Sequence, residues 1–318
     1  MNILYCTDEN YSEICLVSLT SLLEKNAHFD CIAIYIISDN LSADTIGRFE
    51  ALVRQYGREV HIIDADDVKL PAANFQEFPR AAYCRLMISD LLPQCDKILY
   101  IDCDTIVVNS VDDLWNIDMG DNLFAGVKDP IDDFLAEAVQ TTNSEYINSG
   151  VLLMNLVQLR KFEFVKKVYE MVDEYKGMVP HRDQGIINKI ARQRIIFLKP
   201  RFNMMNGYYA FTATQLKRLY KISQLYDVDI EEERNNAVIV HFLSKYYDRP
   251  WFLACKHPLK NVFLSYHERM GCSLKRSNKN AKNLIGDYIY RSCPFFVVLF
   301  LERIVHAMRK KRFSKHAL

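Results

Sequence analysis

Two aspartates pose the chemical question. In Lys97-Ile98-Leu99-Tyr100-Ile101-Asp102-Cys103-Asp104 an apolar run delivers two carboxylates two residues apart. In extended chain, side chains at i and i+2 face the same way. Two like charges at the edge of an apolar core disfavour each other unless a cation lies between them. A divalent metal meets that need, because hard cations take carboxylate oxygen. A D-x-D is also an ordinary solvated turn, but here a second apolar run, Thr105 to Val108, follows at once. Carboxylates between two buried runs are not a plain surface turn.

Other polar residues sit beside apolar runs in the same manner. Asp8-Glu9-Asn10-Tyr11 follows the opening run, where Asp8 or Asn10 would also serve as a helix cap. Arg85 lies in Arg80-Ala81-Ala82-Tyr83-Cys84-Arg85-Leu86, on the helix before the acidic strand, either as an ordinary surface residue or as a guanidinium suited to bidentate contact with phosphate or sugar oxygens. Asn148-Ser149-Gly150 reads as a turn before the strand Val151 to Met154. Asp183 in His181-Arg182-Asp183-Gln184-Gly185 is placed to cap the helix that follows. His241 closes Val238-Ile239-Val240, where a lone histidine is usually structural.

The elements that must hold these residues alternate. Ile3 to Cys6, Ile32 to Ile37, Val60 to Ile63 and Ile98 to Ile101 read as buried strands. Between the first three, Ile14, Val17, Leu19 and Leu22-Leu23, then Ile46, Phe49, Leu52-Val53 and Tyr56, recur at helical spacing. Such alternation predicts an α/β fold with a mainly parallel sheet flanked by helices. In that fold ligands bind beyond the carboxyl ends of strands, where Asp8, Asp102 and Asp104 stand. Phe124 to Val127, Val151 to Met154 and Val238 to Val240 read as later strands of the same pattern, which runs to about residue 255.

The 318 residues are half hydrophobic, enough for one large core and a smaller appendage. Net charge is zero but divided: Lys256 to Leu318 holds fourteen Lys or Arg against three acids, about +11, leaving about −11 on residues 1–255. The nine cysteines are scattered, without C-x-x-C, and several, such as Cys6 and Cys31, lie in apolar runs. They read as buried reduced thiols in a reducing compartment. The N-terminus lacks the marks of a signal peptide, and no apolar run reaches the roughly 18 residues of a membrane span. A cytoplasmic protein is expected. The absence of G-x-G-x-x-G and of a Walker A loop argues against dehydrogenases and P-loop enzymes. A sugar-phosphate nucleotidyltransferase would need a glycine-rich basic N-terminal loop, which is missing. No nucleic-acid module is visible.

Taken together and in order, these motifs resemble family 8 glycosyltransferases, retaining enzymes of GT-A fold (Rossmann-like). The family includes bacterial lipopolysaccharide galactosyl- and glucosyltransferases. The resemblance covers roughly residues 1–255. It implies a UDP-sugar donor, with the nucleoside held near Asp8, Asn10 and Tyr11; a tyrosine face suits stacking on a base. It implies further donor contacts from Arg85, Cys103 and Asn148, and places Asp183 and Gln184 near the donor sugar. It makes His241 the third protein ligand of a metal held by Asp102 and Asp104. An imidazole among carboxylates shifts preference from Mg²⁺ toward Mn²⁺.

The family typically reads H-x-x-G-x-x-K-P-W, whereas this chain reads His241-Phe242-Leu243-Ser244-Lys245-Tyr246-Tyr247-Asp248-Arg249-Pro250-Trp251. Either Lys245 or Arg249 is then the cation for the pyrophosphate. Retention leaves two routes. One uses a protein nucleophile, with Asp183, Gln184 and Asp129 as candidates. The other is same-face attack, with the leaving phosphate accepting the proton; it is favoured because no carboxylate nucleophile stands out. A hexose, galactose or glucose, passing to a glycan or lipid-linked acceptor in cell-surface polysaccharide or lipopolysaccharide synthesis is the implied reaction. A non-catalytic nucleotide-sugar or partner binder is the competing reading. Residues 256–318 are expected to form a second, basic and mostly helical region serving the acceptor or the membrane. There Pro294 to Leu301 beside Arg309-Lys310-Lys311-Arg312 resembles an interfacial helix on anionic lipid.

Overall fold

In the computed structural model, which describes residues 1–73, 80–226, 228–271, 286, 288–290 and 292–316, the alternating pattern becomes a layered sheet. Strands β1 (Asn2–Asp8), β2 (Ala33–Asp39) and β3 (Glu59–Asp64) are joined by helices Ser12–Lys25 and Ala43–Gln55. Ser42 starts the second helix by accepting the Thr45 N–H. β1 and β2 are buried along their middles, as expected of parallel strands covered on both faces. β4 (Lys97–Ile101) and β5 (Thr105–Val107) flank the acidic pair. β6 (Phe124–Lys128), β7 (Ile147–Asn155) and β8 (Ile195–Leu198) follow. The seven-stranded sheet has the order β3-β2-β1-β4-β7-β6-β8. It is parallel except where β7 runs against both β4 and β6.

The reversed strand matters for the site. β4 ends at Ile101, paired with Val151, and the Asp102 N–H then donates to the Gly150 carbonyl at 2.7 Å. The beginning of β7 therefore lies against the acidic pair. Asn148-Ser149-Gly150 is not a turn before the strand but part of it.

One expectation about the sheet is corrected. The runs after Asp104 and before His241 do not join the main sheet. β5 forms a separate three-stranded sheet with β9 (Met204–Met205) and β10 (Ile239–His241), in the order β5-β10-β9. β5 and β10 are antiparallel, with His241 opposite Thr105. β8 and β9 are absent from the sequence reading, β8 because it is only partly buried and β9 because it has two residues.

Helix Lys260–Arg269 and the C-terminal helix Phe295–His316 extend the structure beyond the sheet. Residues 272–285, within the expected second region, and Cys272 lie outside the described residues. The C-terminal helix buries Val298, Leu299 and Glu302, and ties back through His306 to Asp133 (2.9 Å) and Arg309 to Asp132 (3.4 Å). Among described cysteines Cys31 is exposed, contrary to expectation, because β2 begins only at Ala33.

Candidate active site

β5 and β10 do what sequence spacing cannot: they carry His241 to the acidic pair. Between Ile101 and Thr105 the chain turns at Cys103–Asp104 rather than staying extended. The two aspartates therefore meet by a turn, not by strand alternation. His241 Nε2 lies 3.2 Å from Asp104 Oδ1 and 3.8 Å from Asp102 Oδ2. One ligand atom from each of the three residues lies within 4.8 Å of the others. His241 is 1 % exposed and Asp104 7 %. Burial alone would raise the Asp104 carboxyl, but His241 and then Arg249 outweigh it and hold it below the usual value. Burial pulls the His241 imidazole down, and the Asp104 and Asp102 charges more than restore it.

Gly150 makes this convergence possible. A Cβ there would lie 2.3 Å from His241 Cε1 and 2.7 Å from Asp102 Oδ2. The glycine gives room to the His241 and Asp102 side chains.

Each carboxylate has a cation behind it. Arg85 is 6 % exposed, not a surface helix residue, because its helix breaks after Cys84 and Arg85–Met87 forms a 3₁₀ turn. Its Nη1 lies 3.0 Å from Asp102 Oδ1 and 3.7 Å from Asp183 Oδ2, and its guanidinium stacks 4.1 Å from the Tyr100 ring centre. Burial opposes the Arg85 charge, yet Asp102, Tyr100 and Asp183 keep its pKa well above the ordinary value. The Tyr100 hydroxyl donates to Asp102 Oδ1. Arg249 Nη2 lies 2.9 Å from Asp104 Oδ2, and its Nη1 donates to the Tyr11 hydroxyl at 2.9 Å.

Lys245 points elsewhere. Its Nζ donates to the Tyr220 hydroxyl at 2.8 Å and lies 3.4 Å from Glu302 Oε2 on the C-terminal helix. Of the two expected pyrophosphate cations, only Arg249 touches the acidic cluster.

A cavity of about 230 Å³ opens between Thr7-Asp8, Tyr11, Arg85 and the Asp102-Cys103-Asp104 turn. Asp8 Oδ1 accepts the Tyr11 N–H at 2.9 Å and fixes the tyrosine at the rim, where Trp251 meets it edge-on. Asn10 is exposed beside it. The Cys103 thiol donates to the Cys6 carbonyl at 3.3 Å.

The remaining expected residues form a polar chain along β7. Gln184 Oε1 accepts the Ser149 N–H at 3.0 Å, and its Nε2 donates to Asp129 Oδ2 at 2.9 Å. Asn148 Nδ2 donates to the same Asp129 oxygen at 3.1 Å. Asn148 Oδ1 accepts from the Gly150 N–H (2.9 Å) and from Asn203 Nδ2 (2.9 Å). Asn203 Oδ1 then meets His241 Nδ1 at 3.0 Å. Asp183 does not cap its helix: His181 holds that position at φ 58°, and Asp183 sits in the first turn. Burial raises the Asp183 carboxyl, with Arg85 pulling the other way.

A second cavity, of about 220 Å³, lies beyond Asp129 and is bounded by His181, Tyr208, Tyr220 and the Leu243 to Tyr246 segment. Asn203, Tyr100 and Gly150's steric role escaped the sequence reading. Asn203 stands in the sequence as one amide inside the otherwise apolar Phe202-Asn203-Met204-Met205, with nothing to tie it to His241.

Comparison with known proteins gives the family and the fold. A family model described as glycosyl transferase family 8 matches residues 2–253. General stress protein A of Bacillus subtilis (strain 168) is 28% identical over 273 residues, covering 84% of this chain and 92% of the relative. Lipopolysaccharide 1,3-galactosyltransferase of Salmonella typhimurium (strain LT2) is 27% identical over 275 residues, covering 83% and 76%. The crystal structure of galactosyltransferase LgtC with donor and acceptor sugar analogs superposes with a TM-score of 0.70 at 24% identity, covering 86% of this chain and 98% of that one. It shows the shared GT-A fold. The family match spans both acidic segments, the reversed strand and the strand ending in His241, and the chain belongs to glycosyl transferase family 8.

Proposed function

We propose that this family 8 enzyme is a metal-dependent, retaining hexosyltransferase that moves galactose or glucose from a UDP-sugar to a glycan or lipid-linked acceptor of cell-surface polysaccharide or lipopolysaccharide. The observation that carries this reading is the convergence of Asp102, Asp104 and His241 at the mouth of the donor cavity. Two carboxylates and one imidazole fit a divalent ion, Mn²⁺ in preference to Mg²⁺. When bound, the ion supplies Lewis-acid stabilisation of the departing diphosphate.

The chain's own residues do the rest. Tyr11 offers its face to uracil, and Asp8 or Asn10 reads the polar edge of the base. Arg249, held between Tyr11 and Asp104, is a fixed positive charge where the pyrophosphate builds negative charge. Arg85 offsets the buried charges of Asp102 and Asp183. Asn148, Gln184 and Asp129 face the sugar with oriented donors and acceptors. Asp129 Oδ2 already accepts two hydrogen bonds and Asp183 is buried against Arg85. Both carboxylates are thus engaged by neighbouring side chains instead of standing alone against the sugar, which supports the same-face route over a protein nucleophile. The acceptor oxygen bonds to the anomeric carbon as the bond to phosphate breaks, and its proton passes to the leaving phosphate. Loss of turnover in Gln184→Ala with donor affinity and sugar positioning intact would instead argue for direct involvement of that residue.

The cavity beyond Asp129 takes the acceptor. The C-terminal helix serves an anionic membrane surface on the cytoplasmic side. In support, Phe296, Phe300 and Met308 are 64–70 % exposed at helical spacing, Ile304 lies between them, and Arg309 to Arg312 follow. No described helix is long and apolar enough to cross a membrane. Flotation with anionic vesicles tests this: Phe296→Ser with Phe300→Ser should float less than the wild type, and equal flotation sinks the membrane reading. The donor reading is tested by a panel of nucleotide sugars scored for Mn²⁺-dependent release of nucleoside diphosphate. UDP-galactose or UDP-glucose should be cleaved; release from none would mark a non-catalytic binder.

A further inference from the structure

Asn203 is fully buried and takes no part in the donor or acceptor contacts described above. Its orientation nevertheless follows from one backbone group. The Gly150 N–H can only donate, so the Asn148 atom facing it at 2.9 Å is the carbonyl oxygen. The Asn203 atom 2.9 Å from that oxygen must then be the amide nitrogen. This turns the Asn203 oxygen toward His241 Nδ1 at 3.0 Å. An amide oxygen only accepts, so Nδ1 carries a hydrogen. A metal-ligating histidine binds through one ring nitrogen while the other donates to an outer partner. Here the nitrogen left for the metal is Nε2, the one that lies against Asp104 and Asp102.

The other end of the chain is anchored in the same way. The Ser149 N–H donates to Gln184 Oε1, which sends Gln184 Nε2 to Asp129. Two consecutive backbone N–H groups of β7 thus set the direction of every amide between Asp129 and His241.

We propose that Asn203 is a positioning residue for the metal site: it holds His241 in its Nδ1–H form, aims Nε2 at the ion, and through Asn148 ties that aim to the donor-sugar side. This inference rests on the reading of Asp102, Asp104 and His241 as metal ligands. Outer partners of this kind are worth about 10–100-fold in metal affinity.

The test is Mn²⁺ binding in the presence of UDP, read from the electron paramagnetic resonance signal of free Mn²⁺, with no turnover involved. Asn203→Ala should bind Mn²⁺ about 10–100-fold more weakly than the wild type. Asn203→Asp keeps an acceptor for Nδ1–H and should stay within about threefold. A merely structural role ranks them the other way, since a buried carboxylate facing Asn148 Oδ1 perturbs packing more than a small truncation. Wild-type affinity in Asn203→Ala, or equal loss in both variants, overturns the inference and leaves the metal reading standing. Absence of Mn²⁺ binding by the wild type overturns both. Should the variants not fold, ¹⁵N-histidine NMR of the wild-type protein with saturating Mg²⁺ and UDP reads the same feature. A proton on Nδ1 and a bare Nε2 are expected, and a proton retained on Nε2 refutes the assignment.

Discussion

Gly150→Ala should disable the site while leaving the fold standing. The added methyl would start 2.3 Å from His241 Cε1, 2.9 Å from His241 Nδ1 and 2.7 Å from Asp102 Oδ2, whereas ordinary contact begins at 3.4 Å. Relief therefore needs a retreat of about 1.1 Å by the imidazole, by β7, or by both. The ring has little freedom, being held at Nδ1 by Asn203 and by the β10 register against β5. Metal–ligand distances hold to within about 0.2 Å in working sites, so a displacement of this size breaks the ligand set. Misplacement of about 1 Å at reacting groups lowers rates by roughly 10²-fold, while overpacking a buried position destabilises by about 1–3 kcal/mol. The assay compares Mn²⁺-dependent release of nucleoside diphosphate, Mn²⁺ affinity and thermal unfolding in the variant and the wild type. Gly47→Ala is the control: nothing lies within 4 Å of its added carbon, in helix Ala43–Gln55. It should keep full activity and gain about 0.5–1 kcal/mol from lower chain entropy. If Gly150→Ala kept turnover and Mn²⁺ affinity within about threefold of the wild type, the claim that this glycine makes room for the ligands would fail.

Two loop cations of like charge should separate cleanly on substitution. Arg249→Ala is expected to lower donor turnover by about 10²–10³-fold, with a smaller loss of stability because the buried Asp104 keeps His241 as a partner. Lys245→Ala should destabilise by about 1–3 kcal/mol, since it leaves the buried Glu302 carboxylate short of a partner; donor kinetics and calorimetric unfolding distinguish them, and a donor defect confined to Lys245→Ala would reverse the assignment. Asp183→Asn should stabilise the metal-free protein in a pH-dependent way. Burial raises this carboxyl above the ordinary 3.8, so the wild type is free of penalty where the group is protonated both folded and unfolded. The penalty sets in as pH rises past 3.8 and is complete above the folded-state value. The gain in melting temperature should therefore grow with pH from about 4 toward 7; a pH-independent difference, or a loss at pH 7, contradicts it.

Much of the architecture is legible in the residues alone. Apolar runs of strand length alternating with helical spacing dictate a parallel core, because that periodicity is local and each element must bury its own apolar face. The same logic puts Asp8 at the end of β1 and Asp102 just past β4, at the edge where ligands bind. The separate β5-β10-β9 sheet was not legible, since a short apolar run does not state which neighbour it will pair with. Nor was the reversed direction of β7, which brings Gly150 to the aspartates.

The sequence by itself therefore determined the α/β order and the two carboxylates at a strand end, and it supplied the candidates for donor binding. Tertiary structure alone decided which of them meet. Asp104 and His241 are 137 residues apart and become neighbours through one antiparallel register. Lys245 and Arg249 carry the same charge on the same loop, and their separation is settled by Tyr220 and Glu302, which draw Lys245 away. Asn203 is an unremarkable amide in the chain and a contact of His241 in the fold. The physical reason is common to all three. Local pattern sets what an element is, but pairing, register and the partners of a buried polar group depend on surfaces supplied from elsewhere in the chain.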